Sequence, residues 1–233
     1  MRRWLVLVIV LSGVTACTSS GSSPEESTTT TLLAATTTLL ANPFLDVVEE
    51  PSNFAGGDVI SVVGLPLEEK AWVGSFPAAD IEFFGNLWPV DRLDANLIAV
   101  GEAASYLGGP VWELVGQDGR EQGYFPQDRT GVLGPTRDIT LEVADLVGAS
   151  ADELLASVAS TIADLQSQQP IQISQREFGG REVYFDLIGG SDPKTRGQRL
   201  RVVVEESGES FTVALVESSI ICVAGVDTNG ACT

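Results

Sequence analysis

The chain has 233 residues, with 32 acidic against 13 basic side chains, a formal net charge of −19 and no histidine. Such a surface repels nucleic acid, whose binding needs Lys and Arg to neutralise phosphates, and it disfavours docking on anionic head groups. Lack of histidine removes the commonest general base and metal ligand and every Ser-His or Cys-His nucleophile pair. Lys70 and Lys194 are the only lysines, so chemistry would fall to carboxylates, tyrosine or a bare hydroxyl. No catalytic residue, metal site or cofactor is expected, while neutral sugars, basic partners and divalent cations remain compatible with the charge.

The chain opens on Arg2 and Arg3, followed by an unbroken apolar run from Trp4 to Leu11 and then small residues ending at Cys17. A positive start, an apolar middle and a small-residue cleavage site describe a secretory signal over residues 1–16. The run is well short of the roughly 20 apolar residues that a spanning helix needs. Val14-Thr15-Ala16-Cys17 resembles the lipobox of bacterial lipoproteins. That resemblance implies a diacylglycerol on the Cys17 thiol, a palmitate-type acyl chain on the new N-terminus, and anchorage on the extracytoplasmic face of the membrane. An ordinary signal peptide followed by an incidental cysteine is the alternative. Arg2 and Arg3 belong to the signal and no acid does, so 11 basic side chains would face 32 acidic ones after cleavage.

Residues 17–42 read as a tether. Thr18 to Pro24 is small and polar, and Thr28–Thr31 and Thr36–Thr38 are threonine runs. A segment with so little to bury cannot offset its ordering entropy. Leu32-Leu33 and Leu39-Leu40 interrupt it as two apolar doublets.

Residues 43–135 read as a small all-β barrel. Val59–Val63 is a β-rich run closed by Gly64 and Pro66, Leu97–Gly101 is another, and Gly108-Gly109-Pro110 is a turn. Val111–Val115 alternates with period two, and Asp118-Gly119 marks a hairpin whose return is Gly123-Tyr124-Phe125. Ala71-Trp72-Val73-Gly74-Ser75-Phe76-Pro77-Ala78, Gly85-Asn86-Leu87, Val111-Trp112-Glu113-Leu114 and Gly123-Tyr124-Phe125 follow one another in an order that resembles the bacterial Src-homology-3-like (SH3b) domains of envelope proteins. The asparagine and arginine of that family's first motif are missing, and its Gly-Pro-Gly turn is Phe76-Pro77-Ala78 here. The resemblance covers about a third of the chain and implies the barrel, not a ligand.

Residues 136–233 read as an α+β domain. Ser150-Ala151-Asp152-Glu153 is a capping box. Leu155, Val158, Ile162 and Leu165 then recur at helical spacing to about Gln168, where Pro170 should end the helix. Strands are expected over 171–175, 182–188, 199–205 and 211–222, forming an antiparallel meander with the amphipathic helix on one face. Cys222 and Cys232 are an even pair with nine residues between them, a spacing that matches no zinc pattern alone. In an oxidising compartment they should form a disulfide. Closing such a loop stabilises a fold by about 2–3 kcal/mol in the chain-entropy model.

Three features bear on chemistry. Asp227-Thr228-Asn229-Gly230 has the skeleton of a calcium loop, yet Cys232 and the chain end stand where a bidentate glutamate belongs, and a tight turn is the expected reading. Glu49-Glu50, Glu68-Glu69 and Glu205-Glu206 are adjacent; neighbours on a strand face opposite ways, which reads as solvated surface. Trp72, Phe76, Phe83, Phe84, Trp112 and Tyr124 form an aromatic set, of which Trp72 and Phe76, in a turn region, are the candidates to line a groove for sugar or extended peptide.

Together these features describe a non-catalytic binding or scaffolding lipoprotein whose partner is peptidoglycan, a polysaccharide or another envelope protein. The alternatives are an accessory subunit of an envelope hydrolase, a hydrolase using carboxylates alone, or a solute-capturing lipoprotein of a transporter, which usually needs two larger lobes. Cys17→Ala should leave the protein unprocessed or release it to the medium, and intact mass of the wild type should show a lipid on Cys17. Normal cleavage and membrane retention of the variant would refute the anchor.

Overall fold

Thirteen strands and one α-helix are formed by the described residues of the computed structural model, which are 47–77, 85–93, 96–174 and 180–233. The expected signal over 1–16, Cys17, the expected tether over 17–42, and Phe83 and Phe84 lie outside them. In chain order come β1 (Val47–Glu50), β2 (Val59–Val62), β3 (Trp72–Gly74), β4 (Asn86–Pro89), β5 (Leu97–Tyr106), β6 (Val111–Gly116), β7 (Gly123–Pro126) and β8 (Thr130–Asp138). After them come β9 (Val147–Gly148), α1 (Ala151–Gln166), β10 (Gln168–Gln172), β11 (Glu182–Gly189), β12 (Thr195–Ser207) and β13 (Ser210–Cys222). The strands run in the order β10-β11-β12-β13-β8-β2-β5-β6-β7-β3-β4, with β1 added to β5 and β9 to β13. Each named pair is antiparallel, and the fold is mainly β with one helix, its sheet curling into a half-barrel.

The second half of the chain builds a two-faced sheet. Val183, Phe185 and Leu187 on β11 and Leu200, Val202 and Val204 on β12 alternate onto one face, where they pack on Leu154, Leu155, Val158, Ala159 and Ile162 of α1. Ser150 caps the helix by accepting from Glu153 N (3.2 Å), while the Glu153 carboxylate accepts from Ala149 N (3.1 Å). Leu165, expected on the apolar stripe, is 75 % exposed, whereas Ile162 and Ala163 are the last helix residues to enter the core. The terminator is Ser167, whose φ of 55° turns the chain left-handed; Pro170 instead sits inside β10, an edge strand where a missing N–H is tolerated.

Strand β8 was hidden in the sequence by Gly134-Pro135. The pair lies opposite Ile220, where the register with β13 shifts between Ser219 and Ile221, and a bulge accommodates proline. The boundary placed at 135/136 therefore falls inside one strand, paired with β2 through Thr130 and Gly131 and with β13 through Val132 to Asp138. Two apolar clusters lie on either side: the helix-covered one, and one built on Phe54, Ile60, Val73, Trp88, Leu97 and Phe125.

Strand β2 joins these halves. Val59 and Ile60 pair with β5, whereas Ser61 and Val62 pair with β8. Two residues beyond it, Gly64 has φ +61°, and a Cβ there would lie 3.1 Å from the Ile188 side chain, so glycine is strongly favoured. The seam is closed by a buried ion pair on the polar face of the second sheet. Asp186, fully buried, accepts at Oδ1 from Arg199 Nε (2.8 Å) and at Oδ2 from Arg199 Nη2 (3.0 Å) and Gly64 N (2.7 Å). Arg199 Nη2 also donates to Val62 O (2.7 Å), and Arg129 donates to Gly64 O.

Asp186→Ala should destabilise the protein by about 3–5 kcal/mol in urea unfolding, since it strands a buried guanidinium and the Gly64 amide. Arg199→Ala should behave alike, and the double variant should lose much less than the sum. Strict additivity would show that the two side chains act independently.

Candidate functional site

The aromatic residues of the first half divide between core and surface. Trp88 and Trp112 are buried at 6 % and 4 % exposure; Trp88 Nε1 donates to Glu121 O (2.9 Å), and the Arg120 guanidinium lies 4.9 Å above its ring. Register places Trp112 between Ala104 of β5 and Pro126 of β7, which explains its core character. Trp72 is half-buried on β3, opposite Pro89 of β4. Phe76, two residues beyond β3, is also half-buried but borders a groove of about 680 Å³. Trp72 is not part of that groove's lining, so the two candidates are not brought to one surface there.

The groove runs between the end of β3, the bulged middle of β5, and β1 and β7. Phe76, Pro77 and Tyr124 give it an apolar wall, and Glu49, Glu50 and Glu102 supply its charge. Its shape follows from local backbone. Register between β5 and β6 shifts between Ala99 and Ala103, and Gly101 there has φ +88°. That bulge carries Glu102 to the groove. Strand β1 is fixed by Ser105, whose hydroxyl is fully buried and donates to Glu50 Oε1 (2.7 Å). Glu49 and Glu50 both border the groove despite being strand neighbours, since an edge strand presents its rim as well as its faces. Burial, and secondarily the charge of Glu102, push the Tyr124 phenol above its ordinary pKa.

A second buried carboxylate went unnoticed in the sequence, where Glu113 looked like the polar partner in an alternating strand. It is fully buried, accepting from Ser52 Oγ (2.7 Å), Asn53 N (2.9 Å) and Gln127 Nε2 (2.7 Å). These bonds tie the loop after β1 to β6 and to the turn before β8. Its only sequence signal was an acid between two apolar residues.

The disulfide joins Cys222 to Cys232 as expected from their pairing. Within its loop Asp227 Oδ1 accepts from Asn229 N (2.8 Å) and Ala231 N (2.9 Å), and these bonds hold its pKa below the usual carboxylate value. The Asp-x-Asn-Gly skeleton is thus used as a turn, with its acid committed to the backbone. Among the described residues no group of three or more Cys, Asp or Glu is placed to hold a metal ion. Of the other acidic pairs, Glu206 meets Arg181 at 2.8 Å on the surface, while Glu68 and Glu69 are exposed. Among the described residues no helix is long and apolar enough to cross a membrane.

Comparison with protein-family models, with curated proteins and with solved structures finds no match. The groove must therefore be read from its own chemistry. A titration of tyrosine ring resonances should place Tyr124 above 10.0, and Glu102→Gln should lower its midpoint without restoring the ordinary value, because burial is the larger cause. A midpoint at or below that of a free tyrosine would show that the groove is open to bulk water.

Proposed function

We propose that this protein is a non-catalytic binding or scaffolding lipoprotein, held through Cys17 on the extracytoplasmic face of a bacterial membrane, whose groove takes an extended, positively charged peptide segment of an envelope protein. One observation carries the choice of ligand: the apolar wall of Phe76, Pro77 and Tyr124 lies beside Glu49, Glu50 and Glu102 in a single groove. Carboxylates beside aromatic rings suit a Lys or Arg side chain, whose aliphatic stem packs on the ring and whose charged head meets the acid. The excess of 32 acidic over 11 basic side chains after cleavage acts in the same direction, drawing a basic partner from a distance and raising its association rate. Peptidoglycan stem peptides that carry a free amine fit the same description, whereas an acidic polysaccharide does not fit this groove. The absence of histidine, and the commitment of Asp186 and Glu113 to structural bonds, favour binding over catalysis.

The test is calorimetry of a lysine-rich peptide against the full-length protein in micelles, with a glutamate-rich peptide of equal length as control. Binding should be selective for the basic peptide and weaken as salt rises. Phe76→Ala and Glu102→Gln should each weaken it about tenfold while leaving the melting temperature nearly unchanged. Equal binding of both peptides would overturn the reading. So would a large fall in melting temperature for Phe76→Ala, which would make Phe76 a packing residue.

A further inference from the structure

A second concavity, of about 390 Å³, lies on the helix-covered face of the second sheet, beyond the last turn of α1. Its walls come from five places: Gln166 at the helix end, Gln168 of β10, Thr195 and Gln198 of β12, Ser218 and Ile220 of β13, and Arg137 of β8, with Asn229 to Ala231 of the disulfide loop closing one side. In a chain with 32 acids, not one acidic residue lines it. The groove at Phe76 has three. That exclusion gives the pocket a local chemistry opposite to that of the molecule as a whole.

Its polar groups are oriented by one another. Gln198, only 8 % exposed, accepts at Oε1 from Ser218 Oγ (2.7 Å) and donates through Nε2 to Gln168 Oε1 (3.2 Å). Gln168 Nε2 in turn donates to Gly189 O (3.3 Å). This one-way chain fixes which end of each amide is nitrogen, and leaves each with a second N–H beyond the bond described. Arg137, in register with Ser218, makes no ion pair with any described residue. Ile139, Ile220 and Pro135 add apolar surface between these groups.

We infer that this pocket binds a sugar acid, a polyhydroxylated ring bearing a single carboxylate. Arg137 supplies the planar, doubly donating partner that a carboxylate prefers. The glutamine amides and the hydroxyls of Thr195 and Ser218, each able to donate or accept, match vicinal ring hydroxyls. The isoleucines meet the ring's C–H face. A phosphate, with up to two charges, would find one cation where it needs more. The volume lies within the range of small-molecule sites. This site shares no residue with the Phe76 groove and stands or falls independently of it.

The disulfide has a part in this site. Asn229, Gly230 and Ala231 are held between Cys222 and Cys232, and Gly230 is pressed so closely on β8 that a Cβ would lie 2.7 Å from Pro135 Cγ. Opening the bond would release that wall.

The experiment is saturation-transfer NMR on the full-length oxidised protein with glucuronic acid, glucose and glucose 6-phosphate as probes. Glucuronic acid should give transfer and the other two should bind at least about tenfold more weakly. Arg137→Gln, a change at an exposed position, should remove that preference with no change in melting temperature. Reduction of Cys222–Cys232 should abolish transfer. Absence of transfer from glucuronic acid, an unaltered preference in Arg137→Gln, or tighter binding of glucose 6-phosphate would overturn the assignment. Should the reduced protein unfold, the Arg137→Gln comparison decides alone.

Discussion

A single buried carboxylate holds the two halves of this molecule in register. Asp186 accepts three hydrogen bonds, two from Arg199 and one from Gly64, and Arg199 uses its remaining reach to take the carbonyl of Val62. The pair is charged and withdrawn from water, an arrangement that adds little net stability against a well-packed apolar alternative yet is severely damaging when half-removed. What it supplies is position. Strand β2 offers only two residues to each of its neighbours, too short a ladder to fix the angle between a half-barrel and a helix-backed sheet. Anchoring both Val62 and Gly64 on the next sheet removes that freedom, and the left-handed turn at Gly64 becomes obligatory.

Charge is distributed unevenly over this framework. The first half concentrates carboxylates around an aromatic wall, and the polar face of the second sheet pairs its acids with arginines, as in Glu182–Arg201–Glu217 at 2.7 and 2.9 Å. Those two carboxylates hold the Arg201 guanidinium protonated more firmly than an isolated arginine. The helix-covered face instead keeps acids away from the pocket beneath the disulfide loop. A strongly acidic protein thus carries two concavities of unlike lining, one with three carboxylates and one with none.

The sequence was most legible where periodicity and punctuation agreed. The hairpin of β6 and β7, the capped helix, the later antiparallel strands and the Cys222–Cys232 pairing were all readable, since each rests on short-range rules. Legibility failed where a long-range contact overrode a local signal. The boundary at 135/136, where the character of the chain changes, falls within β8 because the bulge at Gly134-Pro135 depends on Ile220, more than 80 residues away. Pro170 looked like a helix stop, while Ser167 had already turned the chain. Phe76 could be singled out because an aromatic in a turn has little local packing to do. Glu102 and Tyr124 could not be joined to it, since a β-bulge and three separate strands bring them together. The acid-free pocket left no sequence trace at all, because its residues come from five places along the chain.

The Gly64–Asp186 and Val62–Arg199 contacts span 122 and 137 residues, and this distance fixes an order of events. A chain emerging from its N-terminus first presents β2 long before the strands that clamp it exist. Until β11, β12 and β13 have followed, β8 lacks β13, and the amide of Gly64 and the carbonyl of Val62 have no partner on the second sheet. During that interval the half-barrel presents an unpaired edge of the kind that recruits other chains. Contacts of such high sequence separation also form slowly. The interval between synthesis of the first and last thirds of the chain is therefore the one in which that edge stands open, and a truncation before Asp186 would leave it open permanently.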